Sequence, residues 1–244
     1  MNVRIVPLAL PAWCVLALTM AACGSPRETP AAGGAQATAP AAPAPPAARP
    51  RIVVLGDSLT AGLGLPAANA YPSLLQQRVD AEGLDFEVVN AGVSGDTSAG
   101  GLSRLDWALQ GDVRLLIVAL GGNDGLRGLP VGQLRRNLGK IIERARARGI
   151  AVILAGMEAP PNFGRDYIVA FRQVYPSVAA EYHVAFVPFL LEGVAGHAGL
   201  NQNDGLHPTA AGARIVADNV WAVLGPLAKQ QLQRGTRREG LPGS

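Results

Sequence analysis

The sequence lacks several features that mark large classes of protein. It contains 2 cysteines in 244 residues, which excludes a disulfide-stapled scaffold and a thiolate cage around a metal. The apolar stretch from Ile5 to Leu18 covers 14 residues and is interrupted by Pro7 and Pro11, so it is too short to span a bilayer comfortably. A Walker loop, a His-Glu-x-x-His pair and a Gly-x-Ser-x-Gly elbow are also missing. P-loop, zincin and α/β-hydrolase chemistry are therefore not indicated.

An excess of positive charge is missing from the central part of the chain. The whole sequence has a net charge of +3, but residues 51–228 carry 14 Lys and Arg against 16 Asp and Glu. A nucleic-acid-binding protein concentrates basic residues on its folded part. We therefore expect no nucleic-acid partner.

Residues 1–22 are predicted to be a signal peptide. Arg4 provides a positive start, the apolar stretch follows it, and the small residues Ala21 and Ala22 stand directly before Cys23. This ending resembles a bacterial lipoprotein signal, which implies that lipid is attached to Cys23 after cleavage. We expect a periplasm-facing lipoprotein of the bacterial envelope, held to a membrane by its N-terminus. The alternative is an ordinary secretory signal and a soluble periplasmic or secreted protein.

The segments on either side of the central part have the composition of flexible chain. Residues 24–50 contain 10 Ala, 7 Pro and 3 Gly, too little apolar surface to offset the entropy of ordering them. We predict a tether over residues 23–50, one domain over 51–228 and a flexible C-terminal tail over 229–244. We expect the protein to be a monomer.

Short apolar runs alternate with segments of helical spacing. Five buried strands are predicted at residues 51–55, 86–89, 115–120, 151–154 and 184–187. Helical spacing occurs in residues 74–79, 102–109, 134–145 and 168–178, and a last helix is expected to start at Pro208. This alternation predicts an α/β fold: a three-layer αβα sandwich of flavodoxin-like topology around a five-stranded parallel sheet.

The loops that follow parallel strands open onto one edge of the sheet, where ligands bind. Ser58 follows the first strand, and Asp204 and His207 follow the last. A serine hydroxyl becomes a nucleophile when an imidazole accepts its proton, and a carboxylate orients that imidazole. The pattern predicts Ser58 as nucleophile, His207 as base and Asp204 as the orienting acid. The alternative is that Ser58 is a turn residue and that the other two cap a helix.

Neighbouring loops contain donors for the oxyanion of a tetrahedral intermediate. The candidates are the backbone N–H groups of Ser58 and Gly92 and the side-chain amide of Asn123. Gly92 and Asn123 could also serve only to form turns. Acidic residues nearby are interpreted as acceptors for loop backbone amides; they are Asp57, Asp96 and Asp124.

Four blocks in this order resemble those of the GDSL, or SGNH, hydrolases: Gly56-Asp57-Ser58-Leu59, Gly92, Gly122-Asn123-Asp124 and Asp204-x-x-His207. Longer segments around them are similar to the bacterial branch of acyl-CoA thioesterases, lysophospholipases and arylesterases. The resemblance covers about residues 51–228. It implies an ester or thioester hydrolase that works through an acyl-enzyme without metal or cofactor. Its substrates would be small acyl esters, aryl esters or thioesters, with lysophospholipids included.

The segment Gly156–Pro160 departs from the thioesterase pattern of that branch. It follows the fourth strand and is expected to line the acyl pocket with Met157, Ala159 and Pro160. Because of this departure, the sequence does not predict which acyl-chain length the enzyme prefers. Two other functions stay open as alternatives: an acyltransferase or carbohydrate deacetylase with the same machinery, and a non-catalytic envelope lipoprotein that binds a glycan or lipid.

Overall fold

A computed structural model describes residues 49–239. The predicted signal peptide, Cys23 and the tether up to residue 48 lie outside the described residues. Five strands form one parallel sheet: β1 (Arg51–Gly56), β2 (Glu87–Gly92), β3 (Val113–Ala119), β4 (Ala151–Ala155) and β5 (Ala185–Val187). Their order across the sheet is β2-β1-β3-β4-β5, which is the flavodoxin-like order and confirms the predicted fold.

Helices cover both faces of this sheet. Those among the described residues are α1 (Ser58–Ala61), α2 (Tyr71–Ala81), α3 (Ser98–Ser103), α4 (Leu105–Ala108), α5 (Gly122–Leu126), α6 (Val131–Ala147), α7 (Arg165–Glu181) and α8 (Ala210–Glu239). Two short 3-10 helices lie at Ala67–Asn69 and Pro161–Phe163. Helix α2 packs against α8, whereas α6 packs against α3 and α7. The single helix predicted over residues 102–109 is two short helices that meet at Arg104.

The three central strands are buried, but the two edge strands are not. Ile52–Gly56 of β1 and Leu115–Ala119 of β3 are buried throughout. Strand β2 pairs only with β1 and exposes Glu87 and Asn90, and β5 is also only partly buried. The prediction of five buried strands is therefore corrected at both edges, because apolar runs do not show which strands lack a second neighbour.

Tertiary contacts among the described residues extend beyond the expected domain limits of 51 and 228. At the start, the Arg49 guanidinium donates to Asp80 and Asp85, with both N–O distances at 3.0 Å. At the end, α8 continues to Glu239 instead of ending at residue 228. Leu232 packs against the core and the Lys229 ammonium lies 2.8 Å from a Glu82 carboxylate oxygen, so tertiary contacts extend the helix into the expected tail. None of the helices between residues 49 and 239 is long and apolar enough to cross a membrane.

Candidate active site

The strand order brings the predicted site residues to one edge of the sheet. Ser58 begins α1 directly after β1, Gly92 ends β2, and Asn123 lies in α5 after β3. Asp204 and His207 lie in the loop between β5 and α8. Because all five strands are parallel, their carboxyl ends share this edge.

A continuous chain of hydrogen bonds joins Ser58, His207 and Asp204. The His207 Nε2 atom lies 2.8 Å from the Ser58 hydroxyl oxygen, and His207 Nδ1 lies 2.6 Å from Asp204 Oδ2. The two ring nitrogens therefore face a hydroxyl on one side and a carboxylate on the other. In this geometry a neutral imidazole with its proton on Nδ1 accepts the serine proton at Nε2.

The loop that carries Asp204 and His207 is held in a narrow turn. The Gln202 N–H donates to the carbonyl of His207 at 2.7 Å, and an isolated antiparallel bridge pairs Asn201 with Pro208. Within the turn, Asp204 Oδ1 accepts the backbone N–H groups of Leu206 at 2.9 Å and His207 at 3.0 Å. The acid and the imidazole are therefore preorganised by local backbone geometry.

The same turn keeps Asp204 ionised. Backbone hydrogen bonds from His207 and Leu206, together with the His207 side chain, lower the pKa of Asp204 from 3.8 to about 2. The carboxylate is thus negatively charged at neutral pH and can stabilise a protonated His207.

The three predicted oxyanion donors differ in their present hydrogen bonds. Among residues 49–239, no hydrogen bond engages the Ser58 backbone N–H. The Gly92 N–H donates to Asn90 Oδ1 at 2.9 Å, and Asn123 Nδ2 donates to the Asp96 carbonyl at 2.9 Å and to Asp57 Oδ2 at 3.3 Å. The Ser58 backbone N–H is therefore available to an oxyanion. The donors of Gly92 and Asn123 would bind an oxyanion by sharing or exchanging their present hydrogen bonds. Sequence reasoning missed Asn90, which precedes Gly92 by two residues in the same strand, β2.

Close packing of the backbone explains why a glycine occupies position 92. A Cβ atom at Gly92 would lie 2.3 Å from the backbone nitrogen of Ala61, so only glycine lets the end of β2 approach α1 this closely. Gly121 has φ +111°, and a Cβ there would lie 2.1 Å from the Tyr175 hydroxyl. These glycines allow the loops of the site to pack on neighbouring chain segments.

Asp57 and Asp124 accept loop backbone amides, as interpreted from the sequence, whereas Asp96 pairs with a guanidinium instead. Asp124 accepts the Ser98 N–H at 2.7 Å and the Ser98 hydroxyl at 2.6 Å, and Asp96 pairs with Arg104 at 2.6 Å. Asp57 caps α1 by accepting the Leu59 N–H at 3.0 Å. The Asp124 contacts tie the segment after β3 to the segment after β2.

Asp57 has an unusual environment for a carboxyl group. Its exposed fraction is 2%, and this burial raises its pKa from 3.8 to about 6, against the lowering effects of the Leu59 N–H, His207 and Asn123. The folded protein therefore binds a proton at Asp57 more tightly than the unfolded chain does. The contribution of this proton binding to the free energy of unfolding is fully present below about pH 4 and is lost as the pH rises through about 6.

We predict that the Asp57→Asn variant loses this part of the pH dependence. A shift of this size corresponds to up to about 3 kcal/mol of unfolding free energy, which the wild type loses between about pH 4 and pH 7. Urea titrations at several pH values measure the unfolding free energy of each protein. The difference in unfolding free energy between wild type and variant should change between about pH 4 and pH 7. Asp112→Asn, at an exposed ion pair, is the matched control. Parallel curves for wild type and Asp57→Asn would contradict the prediction.

A cavity of about 320 Å³ opens beside Ser58 and His207. Met157, Ala159 and Pro160, the predicted pocket residues, all line it. Apolar side chains that sequence reasoning missed line it as well: Leu59, Leu126, Phe189 and Leu191. Phe189 and Leu191 follow β5 directly, and their position after a strand is the signal that could have identified them. A mostly apolar cavity next to a nucleophile suits an acyl chain. Among residues 49–239, no cluster of His, Cys, Asp or Glu could hold a metal ion.

Comparisons with known proteins show which family and which proteins this chain is similar to. The sequence model of the GDSL-like Lipase/Acylhydrolase family matches residues 54–215. Esterase TesA of Pseudomonas aeruginosa is 49% identical over 74% of this chain and 90% of its own. Thioesterase 1/protease 1/lysophospholipase L1 of Escherichia coli K12 is 39% identical over 74% of this chain and 86% of its own.

Structural comparison extends this similarity to the fold. A crystal structure of TesA superposes with a TM-score of 0.70 at 49% identity. The alignment covers 72% of this chain and 99% of the TesA chain. A relative therefore forms this fold without the residues of this chain that lie outside the alignment.

Proposed function

The chain belongs to the GDSL-like lipase/acylhydrolase family, and from this membership and the geometry of its site we propose that Ser58 is its catalytic nucleophile. The enzyme hydrolyses ester bonds, and its relatives are named esterase and thioesterase. We assign the role of base to His207 and the role of orienting acid to Asp204. The observation that carries this proposal is the chain of 2.8 and 2.6 Å contacts from the serine hydroxyl to the carboxylate.

The reaction follows from that chain of contacts. Ser58 Oγ attacks the acyl carbonyl carbon while His207 Nε2 takes the hydroxyl proton, and the carbonyl oxygen becomes an oxyanion. The C–O or C–S bond then breaks, and His207 returns the proton to the leaving alcohol or thiol. Water attacks the acyl-enzyme in the same way, with His207 again accepting and returning a proton. The products are a carboxylic acid and free Ser58.

Asn123 supplies one of the proposed oxyanion donors. We predict that Asn123→Ala lowers kcat by about 10² to 10³-fold, the usual effect of losing one such donor. Steady-state kinetics on a nitrophenyl ester measure this change. Asn69→Ala, on the 3-10 helix Ala67–Asn69 outside the cavity, is the control. A loss below about threefold would remove Asn123 from the oxyanion site.

Short and medium acyl esters, aryl esters and thioesters are the proposed substrates, with lysophospholipids included. The apolar walls of the cavity, among them Met157 and Leu191, support an acyl chain over a polar acyl group. A hydrolysis panel of an aryl ester, an acyl-CoA and a lysophospholipid tests this proposal. Hydrolysis of none of the three would overturn it.

An acyltransferase, a deacetylase and a silent binding protein remain less favoured functions. The hydrogen-bonded Ser58 and His207 support catalysis over binding alone. Product analysis in the presence of competing alcohols separates hydrolysis from acyl transfer. If a serine-reactive phosphonate fails to label Ser58, the result would favour a binding protein without catalytic activity.

We also propose that the protein is an envelope lipoprotein, acylated at Cys23 and exposed to the periplasm. Ala21 and Ala22 directly before Cys23 support this proposal. Mass spectrometry of the N-terminal peptide from expressing bacteria tests it: a lipid-modified Cys23 is expected. An unmodified N-terminus at another residue would favour the ordinary secretory signal.

A further inference from the structure

Exposed large apolar side chains collect at the edge of the sheet that carries the site. Seven such side chains are exposed among the described residues, and the five at this edge are Leu63, Val93, Leu126, Phe163 and Leu206. Each of these five lies in the segment that follows a different strand of the sheet. Of the other two, Val169 lies on α7, and Trp107 lies shortly before β3, toward the opposite edge. We call the five side chains the apolar rim.

Contacts between the loops place the members of the rim beside one another. The Arg127 guanidinium donates to the Gly95 carbonyl at 2.9 Å and so joins the segments that carry Leu126 and Val93. The Phe163 ring covers Gly128, where a Cβ atom would lie 2.5 Å from it. The segments after β2, β3 and β4 therefore form one continuous border.

The remaining members are joined on the other side of the site. Gln202 donates through its side chain to the Leu63 carbonyl and through its backbone to the His207 carbonyl, both at 2.7 Å. Leu206 and Leu126 both line the cavity beside Ser58. Each of the two joined groups therefore has one member, Leu126 or Leu206, at the cavity itself.

We propose that the apolar rim docks on the surface of a lipid bilayer or micelle, from which a single-chain acyl ester enters the cavity. This inference rests on the proposed hydrolysis of acyl esters at Ser58. A protein partner or a second copy seated on the rim would cover the mouth and block substrate entry. A lipid surface is the occupant that also delivers the substrate, because an acyl chain can pass from it into the apolar cavity without crossing water.

The charges beside the rim indicate the kind of lipid surface. Arg127 is exposed next to Leu126, whereas Glu158 and Asp204 are exposed at the same edge. Glu158 in turn pairs with Arg172 at 2.5 Å. Charges of both signs match a zwitterionic surface better than a strongly anionic one, which attracts clusters of Lys and Arg.

Binding to phosphatidylcholine vesicles tests the proposal without interference from turnover or an anchor. The protein is the chain lacking residues 1–48 with Ser58→Ala, and the rim is changed by Leu63→Ser together with Val93→Ser. These side chains are 48% and 43% exposed, so their loss should weaken vesicle binding about tenfold with little effect on folding. The control is Trp107→Ser, which removes a larger side chain that is 65% exposed toward the opposite edge. We expect it to leave vesicle binding unchanged.

The same variants in the active protein separate this inference from the proposed function. Turnover of a soluble short-chain nitrophenyl ester should be unchanged by Leu63→Ser and Val93→Ser, while turnover of lysophosphatidylcholine carried in vesicles falls about tenfold. Soluble turnover without vesicle binding would overturn the inference and leave the proposed function intact. Absence of soluble turnover would overturn the proposed function. Equal losses in the rim and Trp107 variants, or a dimer in sedimentation that the rim variant dissociates, would overturn lipid docking.

Discussion

Turnover of a nitrophenyl ester should fall by on the order of 10⁶-fold in the Ser58→Ala variant, because the variant lacks the proposed nucleophile. The hydroxyl oxygen of Ser58 lies 2.8 Å from His207 Nε2, so its removal also leaves the imidazole without the group it deprotonates. Single-turnover and steady-state assays measure the loss, and a serine-reactive phosphonate should no longer label the protein.

The fold should survive this substitution. Asp57 caps α1 through the Leu59 N–H, a bond that does not use the Ser58 side chain. Thermal unfolding should therefore be close to that of the wild type. Ser103→Ala, which removes an exposed hydroxyl bonded to the Gly100 carbonyl, is the matched control and should retain full turnover. Substantial turnover in Ser58→Ala would mean that another residue is the nucleophile.

The Asp204→Asn variant should show the second-largest effect, a fall in kcat of about 10⁴-fold at neutral pH. Asp204 Oδ1 accepts two backbone N–H groups, so an amide at this position keeps its oxygen there and turns its NH₂ group toward His207 Nδ1. The imidazole must then carry its proton on Nε2, where it can no longer accept the proton of Ser58.

Kinetics of this variant should separate a change in chemistry from a change in binding. KM should change little, because Asp204 is not among the residues that line the cavity. Asp112→Asn, at an exposed carboxylate 2.6 Å from Arg114, is the control and should leave kcat unchanged. A loss of less than about tenfold in Asp204→Asn would mean that another group orients His207.

The sequence predicted the fold well because the signals for it are local. Apolar runs that alternate with helical spacing indicate a parallel sheet wherever it lies in the chain. The predictions that were wrong concern features that are set by contacts between residues far apart in the chain. The edge strand β2 exposes Glu87 because β1 is its only neighbour, and α8 runs on to Glu239 with Leu232 against the core.

Some residues of the candidate site could likewise be predicted from the sequence, and others could not. The motif around Ser58 and the spacing of Asp204 and His207 predict a nucleophile, an acid and an imidazole base without any structure. Sequence reasoning missed Asn90 beside Gly92 and the contribution of Phe189 to the cavity. Neither residue carries a motif: Phe189 is marked only by its position after β5, and Asn90 matters through the hydrogen bond that it accepts from Gly92.

By itself, the sequence determined the strand and helix pattern and the identities of the groups that can carry acyl transfer. These follow from the chemistry of single residues and from spacings of a few positions. Only the tertiary structure decided that the pKa of Asp57 is raised, that Asn123 already donates to two acceptors, and that exposed apolar side chains lie at the same edge of the sheet as the cavity. Burial, hydrogen-bond competition and surface patches depend on segments far apart in the chain, which the strand order β2-β1-β3-β4-β5 brings together.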